Sequence, residues 1–420
     1  MKDETMRRGG DAATRRDSQS DSSEKRISHR VVASSRRRVA PLISQGRPTW
    51  AEINLDNLAH NFRVMKQAVG ADVAIMPAVK ADAYGHGAVE CARALEREGA
   101  EWFGVALPEE GVELREAGIA RPILCLGGFW EGQEEVVIAR NLTPVVFRLD
   151  LLERLDAAAR ASGRIVDYHL KVDTGMRRLG VPHAVLQDFL DGARQFKNVR
   201  LDGVMTHFAS ADEPDKTEFT ERQMQLFESA VEIIRARGHQ PTWIHEANSA
   251  ASHAYPRARG NMVRIGGVMY GLWRDVTLPT VEPLDWRAVM SLHTRITFLK
   301  WVPAGAPLGY GGTFVTSRES LIATLPIGYE DGLRRALSNR GQVIVRGQLA
   351  PIVGRVSMDL TLVDVTDVSG AALGGEVVII GAQGASRITA EEVASLIGTI
   401  SYEVTCGVSD RVPRVYISRQ

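Results

Sequence analysis

Short apolar segments alternate with amphipathic helical ones eight times over residues 48–285, and residues 286–420 are rich in strand-like segments. This pattern predicts an α/β chain: a (β/α)8 TIM-type barrel followed by a C-terminal mainly-β domain. The eight candidate strands are residues 73–79, 102–106, 122–126, 143–147, 166–172, 201–205, 242–244 and 262–265. Helix-periodic stretches such as 86–98 and 216–237 lie between them. Near residue 285 the texture changes, and Gly, Asp and Asn fill the turns. An open doubly wound sheet shows the same alternation, and periodicity alone leaves both layouts open.

Residues 1–47 carry twelve Lys/Arg against six Asp/Glu and few large apolar side chains. Such a segment cannot bury enough surface to offset its ordering entropy, so it reads as a disordered basic leader. Order is expected from Thr49-Trp50-Ala51-Glu52-Ile53, followed by a helix whose apolar face is Leu58, Phe62 and Met65. After the barrel, residues 288–298, 321–325, 343–345, 348–353, 360–365 and 376–380 read as strands, with one helix over 390–396.

Bulk composition excludes several functions. Lys+Arg and Asp+Glu balance at 51 each, so no net charge draws the chain to nucleic acid or an anionic membrane. No apolar run approaches the roughly 18 residues that a membrane helix needs. Cys91, Cys125 and Cys406 are too scattered for a disulfide framework or a metal cluster, and are expected to be buried free thiols. A cytoplasmic location is expected.

The most informative run is Pro77-Ala78-Val79-Lys80-Ala81-Asp82-Ala83-Tyr84-Gly85-His86-Gly87. It ends an apolar strand on a lysine, at the barrel face where catalytic side chains sit. Burial beside Val79 and Ala81 would lower the lysine's pKa and free an amine for Schiff-base chemistry. The run resembles the cofactor-lysine motif of alanine racemases. Further stretches resemble that family in its own order: Lys171-Val172-Asp173-Thr174-Gly175-Met176, Thr206-His207-Phe208-Ala209, Pro326-Ile327-Gly328-Tyr329, and residues 49–57, 245–251, 261–272, 354–359 and 401–413. The likeness covers the chain from about residue 48 to its end.

The resemblance implies a pyridoxal 5'-phosphate (PLP) enzyme of fold type III, acting on alanine as a head-to-tail homodimer with shared active sites. It implies that Lys80 holds the cofactor and that Tyr84, Asn248, Ser249, Gly266, Gly267 and Tyr402 surround its phosphate. Glycine suits such a cradle because backbone can approach an anion closely. The resemblance further implies that Arg264 donates to the pyridine nitrogen, with His245 orienting it and His207 against the ring. Guanidinium carries no acceptor lone pair and leaves that nitrogen unprotonated, which favours a short-lived carbanion.

Racemisation requires an acid/base group on each face of the α-carbon. Lys80 and Tyr310 of the partner copy are the implied pair, with D-alanine supplied for peptidoglycan. Arg178 and the Met358 backbone N–H would meet the substrate carboxylate. Lys171, which resembles the lysine that some family members carry as a carbamate and others do not, and Asp359 support them. Three positions depart from the family pattern: Gly267 where a larger residue is usual, Arg177 beside Arg178, and Asp410 where an aromatic is common near the substrate mouth. A serine or broad-specificity racemase on the same scaffold stays open. Arg264 argues against a decarboxylase of the same class, which pairs that nitrogen with a carboxylate. The segment 286–420 argues against a barrel-only PLP-homeostasis protein.

Overall fold

The computed structural model describes residues 46–274, 281–282 and 284–418. Residues 1–45, most of the expected leader, lie outside the described residues. Arg47 does not: its guanidinium donates twice to Asp331, at 2.7 and 2.5 Å.

The chain opens with β1 (Thr49–Asn54) and α1 (Leu55–Val69). Asn54 caps the helix by accepting from the Asn57 amide at 3.0 Å. Leu55, Leu58, Phe62, Met65 and Val69 make its buried stripe at the three-and-four spacing of an amphipathic helix.

Eight parallel strands follow: β2 (Ala74–Pro77), β3 (Phe103–Val105), β4 (Ile123–Cys125), β5 (Thr143–Val146), β6 (Val166–Asp173), β8 (Val199–Met205), β9 (Trp243–His245) and β10 (Met262–Ile265), with a two-residue β7 (Val181–Pro182) beside β6. Pairing runs continuously from β3 to β9, and β10 pairs with β2. Backbone bonds bridge the two remaining gaps. Val79 donates to Gly104 at 2.8 Å, and Arg264 donates to Ala247 at 3.1 Å. The ring is therefore closed, which decides for the barrel over the open sheet. Its interior is packed by Met76, Trp102, Leu124, Val145, Met205 and Met262.

The strand-rich part forms a sheet containing β11 (Met290–Arg295), β16 (Gln342–Val345), β17 (Gln348–Pro351), β19 (Glu376–Gln383) and β21 (Arg414–Ile417). β1 belongs to this sheet, antiparallel to β11 and parallel to β21. A second sheet joins β12 (Phe298–Val302), β15 (Ser320–Leu325) and β18 (Thr361–Asp364), and a small hairpin joins β13 (Pro307–Leu308) to β14 (Phe314–Val315). The single strand expected over 288–298 is two, because the chain leaves the first sheet at Ile296 to enter the second. Cys91 and Cys125 are buried free thiols; Cys406 is exposed, at the end of a six-residue helix that shows that side to solvent.

Candidate active site

Side-chain alternation along the barrel strands aims chemistry inward. His169 and Lys171 share one face of β6, Trp243 and His245 one face of β9, and Met262 and Arg264 one face of β10. At the C-terminal mouth of the ring Lys171 and Arg264 border a cavity of about 400 Å³, within the range of small-molecule sites.

Lys80 stands where the chain leaves β2. The next four residues, Ala81, Asp82, Ala83 and Tyr84, all have φ between 52° and 57°. Left-handed backbone costs about 1–2 kcal/mol per non-glycine residue, so other contacts must hold the turn. The Ala81 amide donates to Glu110 Oε1 at 2.7 Å, and the Ala88 amide to Asp82 Oδ1 at 2.7 Å. The Tyr84 ring lies tilted 5.2 Å from Tyr270 and edge-on 5.3 Å from Tyr402. Any side chain at Gly85 would strike the Thr405 carbonyl. This turn returns Tyr84 to the same cavity as Lys80. Burial, then the nearby Arg178 charge, pulls the Lys80 pKa below the usual lysine value, while Glu110 opposes that fall.

Opposite Lys80, the α9 helix (Ser249–Ala254) begins at Asn248, whose side chain accepts from the Ala251 amide at 3.0 Å. The Gly266 amide donates to Ser249 Oγ at 2.9 Å. A methyl group at Gly266 would come 2.5 Å from the Tyr84 hydroxyl oxygen, and one at Gly267 would run into the Tyr402 ring. The unusual glycine at 267 is thus matched here by the position of Tyr402, carried on α11 (Ser401–Cys406; α10 is Ala390–Ile397).

Arg264 is buried with both terminal nitrogens engaged. Nη1 donates to the His245 carbonyl at 2.7 Å and to His245 Nδ1 at 3.1 Å. Nη2 donates to the carbonyls of Thr206 (2.6 Å) and Glu246 (3.0 Å) and to His207 Nδ1 (3.3 Å). Nε–H is the donor without an acceptor among the described residues. Because guanidinium only donates, His245 Nδ1 must be unprotonated. His245 then carries its proton on Nε2, which lies 2.8 Å from His169 Nδ1. That leaves the His169 proton on Nε2, a buried atom with no acceptor among the described residues. Burial holds His245 well below the usual histidine range and His169 down to about 3, in keeping with two neutral rings. His207, also pushed well down by burial and the Arg264 charge, accepts through Nδ1 and keeps Nε2–H to offer.

Lys171 is buried in the same wall, and burial, then Arg264 and Arg178, pull it down to about 8. Arg178 is exposed at the rim, and Arg177 is exposed in left-handed backbone. Among the described residues, four basic side chains therefore line the cavity against one carboxylate, Asp212. Tyr310, Met358 and Asp359 do not line it. Tyr310 is 72% exposed and Met358 49%. Asp359 accepts from Arg411 at 2.7 Å.

Sequence reading missed His169, Glu110 and Asp212. His169 had a signal, since it lies two residues before Lys171 and thus on the same strand face. Glu110 had a weaker one, as an acid at the third position of α4 (Pro108–Glu116). Asp212 had none. Among the described residues no cluster could hold a metal ion, and no helix is long and apolar enough to cross a membrane.

Residues 53–273 match the alanine racemase N-terminal domain family and residues 289–416 the alanine racemase C-terminal domain family. An alanine racemase of Halothermothrix orenii is 44% identical over 370 residues, spanning 88% of this chain and 97% of that protein. The solved alanine racemase of Clostridium difficile 630 superposes with a TM-score of 0.83 at 37% identity, covering 89% of this chain and 96% of that one. That of Bartonella henselae, described with covalently bound pyridoxal phosphate, gives 0.79 at 28% identity, covering 89% and 100%.

Proposed function

The chain belongs to the alanine racemase family, and from that premise we propose that it interconverts L- and D-alanine with PLP by a two-base mechanism shared between two copies of the chain. The observation that carries this reading is the meeting of a desolvated Lys80 amine, a donor-lined glycine cradle and Arg264 in one cavity.

The residues fit PLP. A Cβ at Gly266 or Gly267 would fill the space beside Tyr84, Ser249 and Tyr402, so the cradle is cut for close approach to backbone. Its donors and the start of α9 suit a phosphate, and the free Nε–H of Arg264 suits a pyridine nitrogen. Lys80 would hold the group. Bound there, PLP supplies an electron sink that acidifies the α-hydrogen of an attached amino acid.

The remaining work falls to side chains. Desolvation lowers the Lys80 pKa, which suits its Nζ to take or return a proton on one face of the α-carbon. The Tyr310 hydroxyl of a second copy serves the other face, with His207 Nε2–H and Arg264 behind it. Arg178 binds the substrate carboxylate, joined by the Met358 amide from the second copy. A pKa near 8 leaves Lys171 an appreciable neutral fraction for carbamate formation, and a carbamate would fix the Arg178 guanidinium that an ammonium repels. Asp359 steadies the Met358 loop through Arg411.

Dimerisation is supported by uncovered apolar side chains on the strand-rich part: Phe298, Trp301, Tyr310, Val315, Met358 and Leu360 are all at least 48% exposed. A cytoplasmic setting and D-alanine supply for peptidoglycan belong to the same reading, as does the division into leader, barrel (48–285) and β domain (286–420). The test is a racemisation screen over alanine, serine, lysine and arginine with chiral product analysis. Solvent deuterium should enter alanine at the α-carbon as the other enantiomer forms. Exchange without inversion would refute the two-base arrangement, and faster turnover of serine would reassign the substrate.

A further inference from the structure

We propose that Glu110 is the positioning residue for Lys80, tying the lysine-bearing turn to the neighbouring barrel strand and supplying its counter-charge. The proposal rests on the reading of Lys80 as the cofactor lysine. Glu110 sits at the third position of α4, where an acid ordinarily reaches back to cap its own helix. It does so here, accepting from the Leu107 amide, but at 3.3 Å. Its shorter bonds go elsewhere. Oε1 accepts from the Ala81 amide at 2.7 Å, and Oε2 accepts from the Ala106 amide at 2.6 Å. Ala81 directly follows Lys80, and Ala106 directly follows β3. One carboxylate therefore spans the mouths of two adjacent strands and pins the first residue of a four-residue left-handed run. A carboxylate offers two oxygens as acceptors and no donor, so it alone serves both amides.

The charge matters as well as the bonds. The groups that face Lys80 are Arg178, Arg264, Lys171, His207 and Cys406, together with Glu110. Four of these are basic side chains. Glu110 is the carboxylate acting on the amine, and it opposes the fall that burial and Arg178 impose. Without it the amine would lose proton affinity and stand less firmly in place. Lys80 needs that affinity to return a proton to the α-carbon. Glu110 does not line the cavity, so its effect on substrate passes through Lys80.

The experiment compares Glu110→Gln, Glu110→Asp and Glu110→Ala with wild type as full-length chains. In apoenzyme, acetylation of Lys80 by acetic anhydride is followed against pH by mass spectrometry. In holoenzyme, the pH dependence of the visible band and kcat and KM for alanine are measured. Glu110→Gln should move the Lys80 labelling midpoint about one unit toward acid. Glu110→Ala should lower kcat about a hundredfold while KM changes little, and Glu110→Asp should recover the midpoint more than the rate. A Glu110→Gln labelling midpoint equal to wild type would overturn the proposal, even with a lowered Tm, because capping alone would explain such a loss. If Glu110→Gln does not fold, a Glu110→Asp variant with wild-type kcat overturns it equally. Labelling reads the amine without turnover, so absence of racemisation in wild type would sink the functional reading and leave this comparison standing.

Discussion

Gly266→Ala tests the cofactor cradle most directly. Gly266 has a negative φ of −101°, outside the left-handed region that favours glycine, and the contact a side chain would make there is with Tyr84. The added methyl carbon would lie 2.5 Å from the Tyr84 hydroxyl oxygen and 3.3 Å from the ring carbon that bears it. Tyr84 cannot retreat. Its backbone is locked in the left-handed run, and the Tyr270 and Tyr402 rings stand 5.2 and 5.3 Å away. Overpacking of this kind costs about 1–3 kcal/mol, and each kcal/mol lowers Tm by about 2–4 °C or somewhat less in a chain of this length. The same displacement should weaken PLP binding by about fivefold to a hundredfold. Both are read by thermal melts and by absorbance titration of apoenzyme with PLP. The double variant Gly266→Ala/Tyr84→Phe removes the colliding oxygen and leaves a 3.3 Å contact, so it should regain about 1 kcal/mol or more of the lost stability. A Gly266→Ala protein with wild-type Tm and PLP affinity would refute the cradle argument.

Lys80→Ala should abolish the visible band expected at about 420 nm together with racemisation; an unaltered spectrum would assign the cofactor to another lysine. Tyr310→Phe should reduce racemisation by about 10²–10⁴-fold without weakening PLP binding, since the side chain is exposed and lies outside its own chain's cavity; equal loss of both would make it structural. Glu246 is buried with an Oε2 that has no partner among the described residues, and burial pushes its carboxyl up to about 8. Its folded pKa exceeds its unfolded one, so the folded state holds this proton longer and stability falls as pH rises between the two values. Melts of Glu246→Gln should lack that decline and exceed wild type at pH 8; equal Tm there would contradict the burial argument.

Much of the site was legible because its residues sit in short runs tied to strand ends. Lys80, Ser249 and Arg264 each lie within four residues of the end of a barrel strand, and apolar periodicity locates strand ends. The exact strand limits were less legible. β2 ends at Pro77, short of Val79, because Ala78 and Val79 turn their amides to Ile265 and Gly104 as the chain enters the left-handed run. Ala81, Ala83 and Tyr84 carry no propensity for that conformation, and Asp82 by itself announces at most one such residue, not a run of four. Likewise, Tyr310 and Met358 were assigned by resemblance alone, and within one chain they stand apart from the cavity.

The sequence by itself determined eight strands, the lysine at the mouth of the first, the basic side chains around it and the change of texture near residue 285. Only the tertiary structure decided that the ring closes, that Thr49–Asn54 joins a sheet built from residues beyond 289, and that His245 and His207 meet Arg264 while His169 backs His245. The physical reason is the range of each signal. Burial patterning repeats within a few residues and is written locally, whereas hydrogen-bond partners such as Glu110 and Ala81, or His169 and His245, meet only after strands distant in sequence are brought side by side.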